Sequence, residues 1–325
     1  MAENDIQEQL AKYLADAQSI EEQALQQLRA APDIAGDPQL SRIFADHLIE
    51  TEEQERMVRR RLEAHDATPS KVKQAVMRAG GTAFVLFARS QPDTPGKLTA
   101  HAYSYEHLEL AGYELLTRVA ERAGDPETAD VARRIRDQEQ SMAERLESSF
   151  DRAVDASLQR VAPEDIGGQL AKYLADAHAI ESQSIQLLER APRIAGEPQL
   201  AALYSEHLEE TRRQQALIEE RLQAHRAGPS ALKDAAMRLG ALNWGAFFQA
   251  QPDSPGKLAA FAFAFEHLEI GGYEQLRRVA ERAGDPETAA TVDRILSEER
   301  AAAGRVTRHW DQAVDASLQA QGVSG

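Results

Sequence analysis

The segment from Ile43 to Met57 reads Ile-Phe-Ala-Asp-His-Leu-Ile-Glu-Thr-Glu-Glu-Gln-Glu-Arg-Met. Positions 43, 47, 50, 54 and 57 share one face of a helix, because steps of three and four residues return to the same side. That face is apolar at both ends and carries His47, Glu50 and Gln54 in the middle. A helix that packs on a core normally keeps an apolar stripe throughout. The polar centre therefore indicates a helix that buries groups with a chemical role.

An internal repeat reproduces this face. It recurs 160 residues later as Leu203, His207, Glu210, Gln214 and Leu217. Other segments return in the same register without insertion, such as residues 10–17 at 170–177. A repeat of this length is a duplicated domain rather than a solenoid unit. We therefore predict two domain copies, at residues 1–158 and 169–325, joined by a linker at 159–168 that contains Pro163 and two glycines.

The composition excludes several classes of function. The net charge of -16 disfavours binding to nucleic acid or to anionic membranes. The absence of cysteine excludes disulfides, thiolate metal sites, iron–sulfur clusters and cysteine nucleophiles. The acidic start of the chain lacks the apolar segment of a signal peptide, and no apolar run is long enough to span a membrane. We expect a cytoplasmic protein.

Helix start and stop signals divide each copy into four long helices. In the first copy Asp37-Pro38 and Asp125-Pro126 are typical helix starts, and Gly124 is typical of a helix end. The predicted helices A, B, C and D cover about residues 5–30, 37–65, 94–122 and 125–157. Short A–B and C–D connections predict antiparallel neighbours, while the B–C crossover of about 30 residues contains a short helix. An all-α bundle with one long crossover has the ferritin-like topology, and this chain contains two in tandem.

Each long helix carries a glutamate near the middle of its apolar stripe. In the first copy these are Glu21, Glu50, Glu106, Glu109 and Glu139. In the second copy they are Glu181, Glu210, Glu266, Glu269 and Glu299. Five carboxylates in one core would repel one another and lose hydration, so several are protonated or cations neutralise them. Two divalent cations would offset most of the charge, and an oxygen-rich set with one imidazole nearby favours iron or manganese.

The motifs that surround these glutamates resemble a known family. They are Asp16-Ala17-x-x-x-Glu21, His47-x-x-Glu50-Thr51-x-x-Gln54, Glu106-His107-x-Glu109-x-x-x-Tyr113 and Glu139, with their repeats. Each copy resembles, over essentially all of its length, the YciE/YciF-like branch of the ferritin-like superfamily. The resemblance implies that the five glutamates bind metal, with Glu50 and Glu139 as the bridging pair. It also implies bundles that pair as dimers and an association with stress responses.

Two departures from the usual ferritin-like site leave the nitrogen ligands open. Most such sites use Glu-x-x-His on helices B and D. Here helix B has the reverse order, and helix D has Met142 or Ala302 where the histidine would stand. His47 and His207 are therefore candidates either for direct ligation or for supporting a ligand. The same departures leave open whether one or two metals bind per bundle, although two are expected.

Polar neighbours of the glutamates are candidates for supporting roles. Gln54 and Gln214 are expected to hydrogen-bond a ligand. Tyr113 and Tyr273 either pack in the core with a hydrogen-bonded hydroxyl, hydrogen-bond a ligand carboxylate or act as redox-active phenols. The central positions of the stripes carry no lysine or arginine, which disfavours internal salt bridges. Five histidines outside the stripes have no partner evident in the sequence and are expected at the surface: His65, His101, His178, His225 and His309.

The doubled carboxylate pattern predicts a carboxylate-bridged di-metal protein with two iron or manganese ions per bundle. Because the Glu106-x-x-Glu109 pair also resembles the third bundle helix of rubrerythrins, which reduce peroxide, we expect an oxidoreductase of peroxidase, catalase or ferroxidase type acting on peroxide or oxygen. The alternative is a metal-free helical stress or interaction protein on the same scaffold. Iron storage is disfavoured, because a fused pair fits a closed shell awkwardly. A substrate oxygenase stays open.

The crossover segments predict how the bundles pair. Residues 79–89 and 239–249 are apolar but differ between the copies, with Phe84 replaced by Trp244 and Ala88 by Phe248. A surface shared by two identical subunits can diverge once they are fused. We therefore expect the two bundles to pair within the chain through these segments, and a homodimer stays open.

Overall fold

The computed structural model describes residues 2–67, 94–229 and 254–323. The chain divides into two compact units, residues 1–159 with 323–325 and residues 160–322. The described residues form helices and contain no strand, so the predicted all-α fold with two tandem bundles is confirmed. The predicted crossover helix and the pairing segments lie outside the described residues.

The two units repeat the same order of long helices. In the first they are α1 (Ala2–Ile34), α2 (Pro38–Ala64), α3 (Thr94–Arg122), α4 (Pro126–Glu147) and α5 (Phe150–Leu158). In the second, a 3₁₀ turn (Pro163–Asp165) precedes α6 (Ile166–Leu188), α7 (Ala191–Ile194), α8 (Pro198–Ala224), α9 (Ser254–Arg282), α10 (Pro286–Thr307) and α11 (Trp310–Ala320). In the first unit α1 and α4 each pack against α2 and α3. In the described part of the chain, no helix is both long and apolar enough to cross a bilayer.

The predicted helix boundaries rest on specific caps. The Asp37 carboxylate accepts hydrogen bonds from the backbone N–H groups of Gln39 and Leu40, at 2.8 and 3.0 Å, and so caps α2. At the end of α3, Gly124 has a φ of +69°, and the Asp125 N–H donates to the carbonyl of Ala120 at 2.9 Å. This is a Schellman ending, which requires the left-handed conformation that glycine adopts without strain. These two caps fix the start of α2 and the end of α3.

Two predicted helix ends differ from the structure. The sequence predicts that helix A stops before Pro32, but α1 continues through it to Ile34. Since Pro32 lies in the last turn, it removes only one helical hydrogen bond, and burial of Ala31 and Ala35 beside it favours the continued helix. The sequence predicts one continuous helix D to residue 157, but this helix breaks at Ser148 and Ser149 before α5 begins.

The buried stripe of α2 is rotated slightly from the predicted face. The buried side chains include Phe44, His47, Thr51 and Gln54, whereas Glu50 is only partly buried. With about 3.6 residues per turn, Thr51 lies on the Phe44 side of His47 and Glu50 on the opposite side. The neighbouring helices cover the Thr51 side. Glu50 therefore lies at the edge of the stripe and not at its centre.

Candidate metal centre

Four buried side chains converge in the interior of the first unit. His47 comes from α2, Glu106 and Glu109 from α3, and Glu139 from α4. Each offers one nitrogen or oxygen, and these four atoms all lie within 4.8 Å of one another. The second unit brings together the corresponding residues within the same distance: His207, Glu266, Glu269 and Glu299. Three helices thus assemble an oxygen-rich cluster with one imidazole in each unit.

The imidazole of His47 lies between the buried cluster and the edge of the bundle. Its Nε2 atom is 3.2 Å from Glu106 Oε2 and 3.6 Å from Glu139 Oε2. Its Nδ1 atom is 3.1 Å from Glu50 Oε2. In the second unit the corresponding distances from His207 are 2.8, 3.9 and 3.1 Å.

Glu21 adds a carboxyl from α1 to the same interior. It is fully buried, and the hydroxyl of Tyr113 donates a hydrogen bond to its Oε1 atom. Burial raises the pKa of Glu21 to about 8, although the Tyr113 hydrogen bond opposes this rise. The pair Glu181 and Tyr273 repeats the contact in the second unit. Both tyrosines are buried in the core and also hydrogen-bond a predicted ligand carboxylate, while a redox-active role stays a prediction.

The cluster carboxyls are poorly compensated within the protein. Among the described residues, no donor forms a hydrogen bond with either oxygen of Glu109. Burial, together with the neighbouring carboxyls Glu139 and Glu21, holds the pKa of Glu109 well above its usual range. Burial and the nearby Glu106 raise the pKa of Glu139 in the same way. An unpaired buried carboxylate is costly, so these groups either keep protons or bind a cation.

His47 supplies the one positive charge that the cluster contains. Burial alone would lower the pKa of His47, but the carboxylates of Glu106, Glu50 and Glu139 together outweigh burial and raise that pKa well above 6.5. Burial would likewise raise the pKa of Glu106, but the His47 charge and hydrogen bond lower it. Without a bound cation the site therefore holds an imidazolium–carboxylate pair beside protonated carboxyls. Binding of a divalent metal would release those protons.

Glu50 lies outside this group of four, with a side chain that is 37% exposed. Its Oε2 atom accepts a hydrogen bond from Arg145 on α4 at 2.6 Å, in addition to the contact with His47. The His47 hydrogen bond, aided by Arg145 against the effect of burial, lowers the pKa of Glu50 to about 2. Glu210 pairs with Arg305 and His207 in the same way. The ligand role of Glu50 and Glu210, including the bridging role of Glu50, stays a prediction.

Arg145 lies outside the central positions of the stripes, where the sequence pattern predicts the site residues. It stands three residues after Met142, at the edge of the α4 stripe, and its long side chain crosses to α2. This ion pair lies at the partly exposed edge of the stripes, where both side chains are 37% exposed, and not at the central positions to which the prediction applied. The signal in the sequence was an arginine at matching positions of both copies, 145 and 305.

The glutamines contact residues beside the cluster. Gln54 is fully buried, and its Nε2 atom donates to Gln138 at 3.4 Å. In the second unit Gln214 donates to Glu298 at 3.0 Å. The predicted hydrogen bond to a metal ligand is not formed by either donor, because each amide meets the residue that precedes Glu139 or Glu299 in the chain.

The histidines expected at the surface have partners. His178 is buried, with Nε2 at 3.0 Å from a carboxylate oxygen of Glu219, so its predicted surface position is wrong. His65 contacts the Asp125 carboxylate at 2.7 Å, beside the Arg61 guanidinium. The sequence could not show these contacts, because each joins residues on different helices or beyond a helix end.

A family model described as "Domain of unknown function (DUF892)" matches the chain twice, over residues 5–159 and 168–319. The chain belongs to this family, which is ferritin-like, and contains two copies of its domain. The ferritin-like part of the sequence-based resemblance is therefore confirmed, while the YciE/YciF-like branch stays a prediction.

Proposed function

We propose that each unit of this tandem DUF892 protein holds a carboxylate-bridged pair of iron or manganese ions that consumes peroxide or oxidises ferrous iron in a stress response. The observation that carries the proposal is the convergence of His47, Glu106, Glu109 and Glu139 within 4.8 Å in a buried interior. The second unit repeats it.

The donor set fits such ions. Both oxygens of Glu109 and the Oε2 atom of Glu21 receive no hydrogen bond from the described residues, so they are available to a cation. When deprotonated, Glu21, Glu106, Glu109 and Glu139 carry one negative charge each, which two divalent ions would balance. Carboxylate oxygens with one imidazole suit iron or manganese, and Glu21 is the residue available to extend the site toward a second ion.

The protein's own groups would control the site. Bound iron or manganese supplies a redox-active Lewis acid that can exchange electrons with peroxide or oxygen. Tyr113 holds the Glu21 carboxyl in place through its hydroxyl. The buried side chains of Ile135 and Met142 line the same stripe of α4 as Glu139 and exclude water from its surroundings. Protons displaced from the carboxyls must leave when metal binds.

Metal analysis tests the proposal directly. Protein loaded with iron or manganese should retain up to about two ions per unit, and retention below about one ion per chain would contradict the proposal. Glu109→Gln should reduce loading of the first unit and Glu269→Gln that of the second, because each removes a charged oxygen donor. The matched control is Glu121→Gln with Glu281→Gln, which alters exposed glutamates at the end of α3 and α9 and should leave loading unchanged.

Turnover tests the redox part separately. The loaded protein should consume peroxide or oxidise ferrous iron faster than the variant that carries both Glu109→Gln and Glu269→Gln. Metal binding without either reaction would contradict the proposed redox function but would support the proposed metal site. A chain that retains no metal but still functions in cells would be the metal-free helical interaction protein instead.

A further inference from the structure

The two nitrogens of the buried imidazole face different surroundings. In the first unit Nε2 points to the cluster carboxylates and Nδ1 points to Glu50. Because a neutral imidazole carries its proton on one nitrogen only, the partner of Nδ1 decides which electron pair remains for a metal. A carboxylate at Nδ1 accepts that proton's hydrogen bond and leaves the Nε2 electron pair for the cluster.

Glu50 differs from the cluster carboxyls because it is paired with an arginine side chain. Arg145 donates to the same Oε2 atom that meets His47 Nδ1. The guanidinium reaches across from α4, so this oxygen is held from two helices. Glu50 is also far more exposed than the cluster residues, which are buried. A carboxylate that is already paired with arginine has less need of a metal ion than the uncompensated Glu109.

The second unit repeats this arrangement in a different setting. Glu210 Oε2 meets both Arg305 and His207 Nδ1, although its side chain is 16% exposed compared with 37% for Glu50. The preceding residue also differs, since Ile49 of the first unit is replaced by Glu209. The contact between histidine, glutamate and arginine is thus formed in both units, although the two surroundings differ in polarity.

We infer that Glu50 and Glu210 are positioning residues that orient His47 and His207 toward the metal, with Arg145 and Arg305 fixing each carboxylate in place. This inference rests on the proposed function. It replaces the ligand role that the sequence suggested for the two glutamates, and it makes the reversed order of histidine and glutamate on α2 a functional feature. The imidazole takes the inner position, and the carboxylate supports it from outside.

Manganese titration separates a positioning residue from a ligand. The variant with Glu50→Ala and Glu210→Ala should still fill the same number of Mn²⁺ sites at saturation, but with affinity lowered by about 10–100-fold. Glu50→Gln with Glu210→Gln keeps an acceptor oxygen and should recover part of that loss. Fewer sites at saturation in the alanine variant would make the glutamates ligands and overturn the inference. Unchanged affinity would overturn it as well.

Arginine variants provide a second route if the alanine variant folds poorly. Arg145→Gln with Arg305→Gln leaves the carboxylates in place but removes their second contact, so Mn²⁺ affinity should fall by less than in the alanine variant. The matched control is Arg134→Gln with Arg294→Gln, since both arginines are exposed on α4 and α10. Affinity that falls equally in this control would show a general charge effect and contradict the inference.

Nuclear magnetic resonance of the metal-free protein supplies a readout that does not depend on metal. The Nδ1-bound protons of His47 and His207 should give hydrogen-bonded signals in the wild type, assigned by replacing each histidine. These signals should be lost in the alanine variant, and their persistence there would overturn the inference. If the wild type binds no Mn²⁺, the proposed function fails, while these signals still decide whether Glu50 and Glu210 hold the imidazoles.

Discussion

The two units of the chain keep the same buried cluster while the side chains around it differ. The distance from the imidazole Nε2 to the nearest cluster carboxylate is 3.2 Å in one unit and 2.8 Å in the other. Around this centre, Met142, Tyr105 and Gln138 of the first unit correspond to Ala302, Phe265 and Glu298 of the second. The cluster is therefore retained in both units although the side chains beside it change.

The residues that cap α2 and α8 also differ between the units although they make the same hydrogen bonds. Asp37 caps α2, and the longer side chain of Glu197 caps α8, where it accepts from the N–H groups of Gln199 and Leu200 at 2.9 and 3.1 Å. Gly36 and Gly196, just before these caps, both have a φ of +71°. A Cβ at Gly36 would lie 2.7 Å from Pro95, so both backbone conformation and space require glycine there. The backbone geometry is retained although the capping side chain changes.

The largest effect should come from pH, where the two units are expected to behave alike. Burial raises the pKa of both Glu21 and Glu181 from 4.5 to about 8. Between these two pH values the folded state therefore binds more protons than the unfolded state. The contribution of each buried carboxyl to the free energy of unfolding is fully present below pH 4.5 and is lost as pH rises to about 8. Each such carboxyl contributes a fall of about 1.4 kcal/mol per pH unit.

Urea unfolding at several pH values with a chelator present would measure this slope. Glu21→Gln and Glu181→Gln should each flatten it by the same amount, because glutamine keeps the acceptor for the tyrosine hydroxyl but does not titrate. Stability that rises with pH across this range would contradict the prediction. Unequal effects of the two single variants would show that the clusters differ electrostatically.

A smaller effect should follow when one unit is given the packing of the other. Met142 is fully buried on α4, one turn from Glu139. Met142→Ala should lower the free energy of unfolding by about 2–5 kcal/mol, because the first unit is packed around the larger side chain. The reverse change, Ala302→Met, should destabilise by about 1–3 kcal/mol, since the second unit is packed around alanine. Urea unfolding of the full chain measures both, and a stabilising Ala302→Met would reveal an unfilled space beside Glu299.

The sequence was sufficient to predict much of the fold, because the boundary signals act locally. Asp37 before Pro38 and Gly124 before Asp125 each fix a helix end through contacts within a few residues. The periodic stripes then identify the buried faces, including that of α4 from Ala132 to Leu146. Pro32 was misjudged, because its cost depends on how much helix follows it, which the local sequence does not state.

The candidate site was harder to predict because it depends on small rotations and on neighbouring helices. Glu50 and Thr51 follow His47 by three and four residues, so both lie about one turn along the helix and close to the face of His47. The spacing alone therefore does not decide which of the two faces inward. The packing of α2 against α1 and α4 makes that choice. Arg145 then compensates Glu50 from another helix, which periodicity within α2 cannot indicate. The sequence identified the chemical groups, and tertiary packing assigned their partners.

The smallest effect tests a single hydroxyl that distinguishes the units. Tyr105 donates to the backbone carbonyl of Ile20 at 2.9 Å, whereas Phe265 at the matching position has no hydroxyl. Tyr105→Phe should cost about 0.5–1.5 kcal/mol, because the carbonyl of Ile20 belongs to a helix and loses only an additional hydrogen bond. Phe265→Tyr should recover a similar amount by reaching Ile180, which corresponds to Ile20. Paired urea unfolding curves measure both changes. Destabilisation by Phe265→Tyr would show that α6 and α9 pack more tightly than α1 and α3, and that the two units differ in helix spacing as well as in side chains.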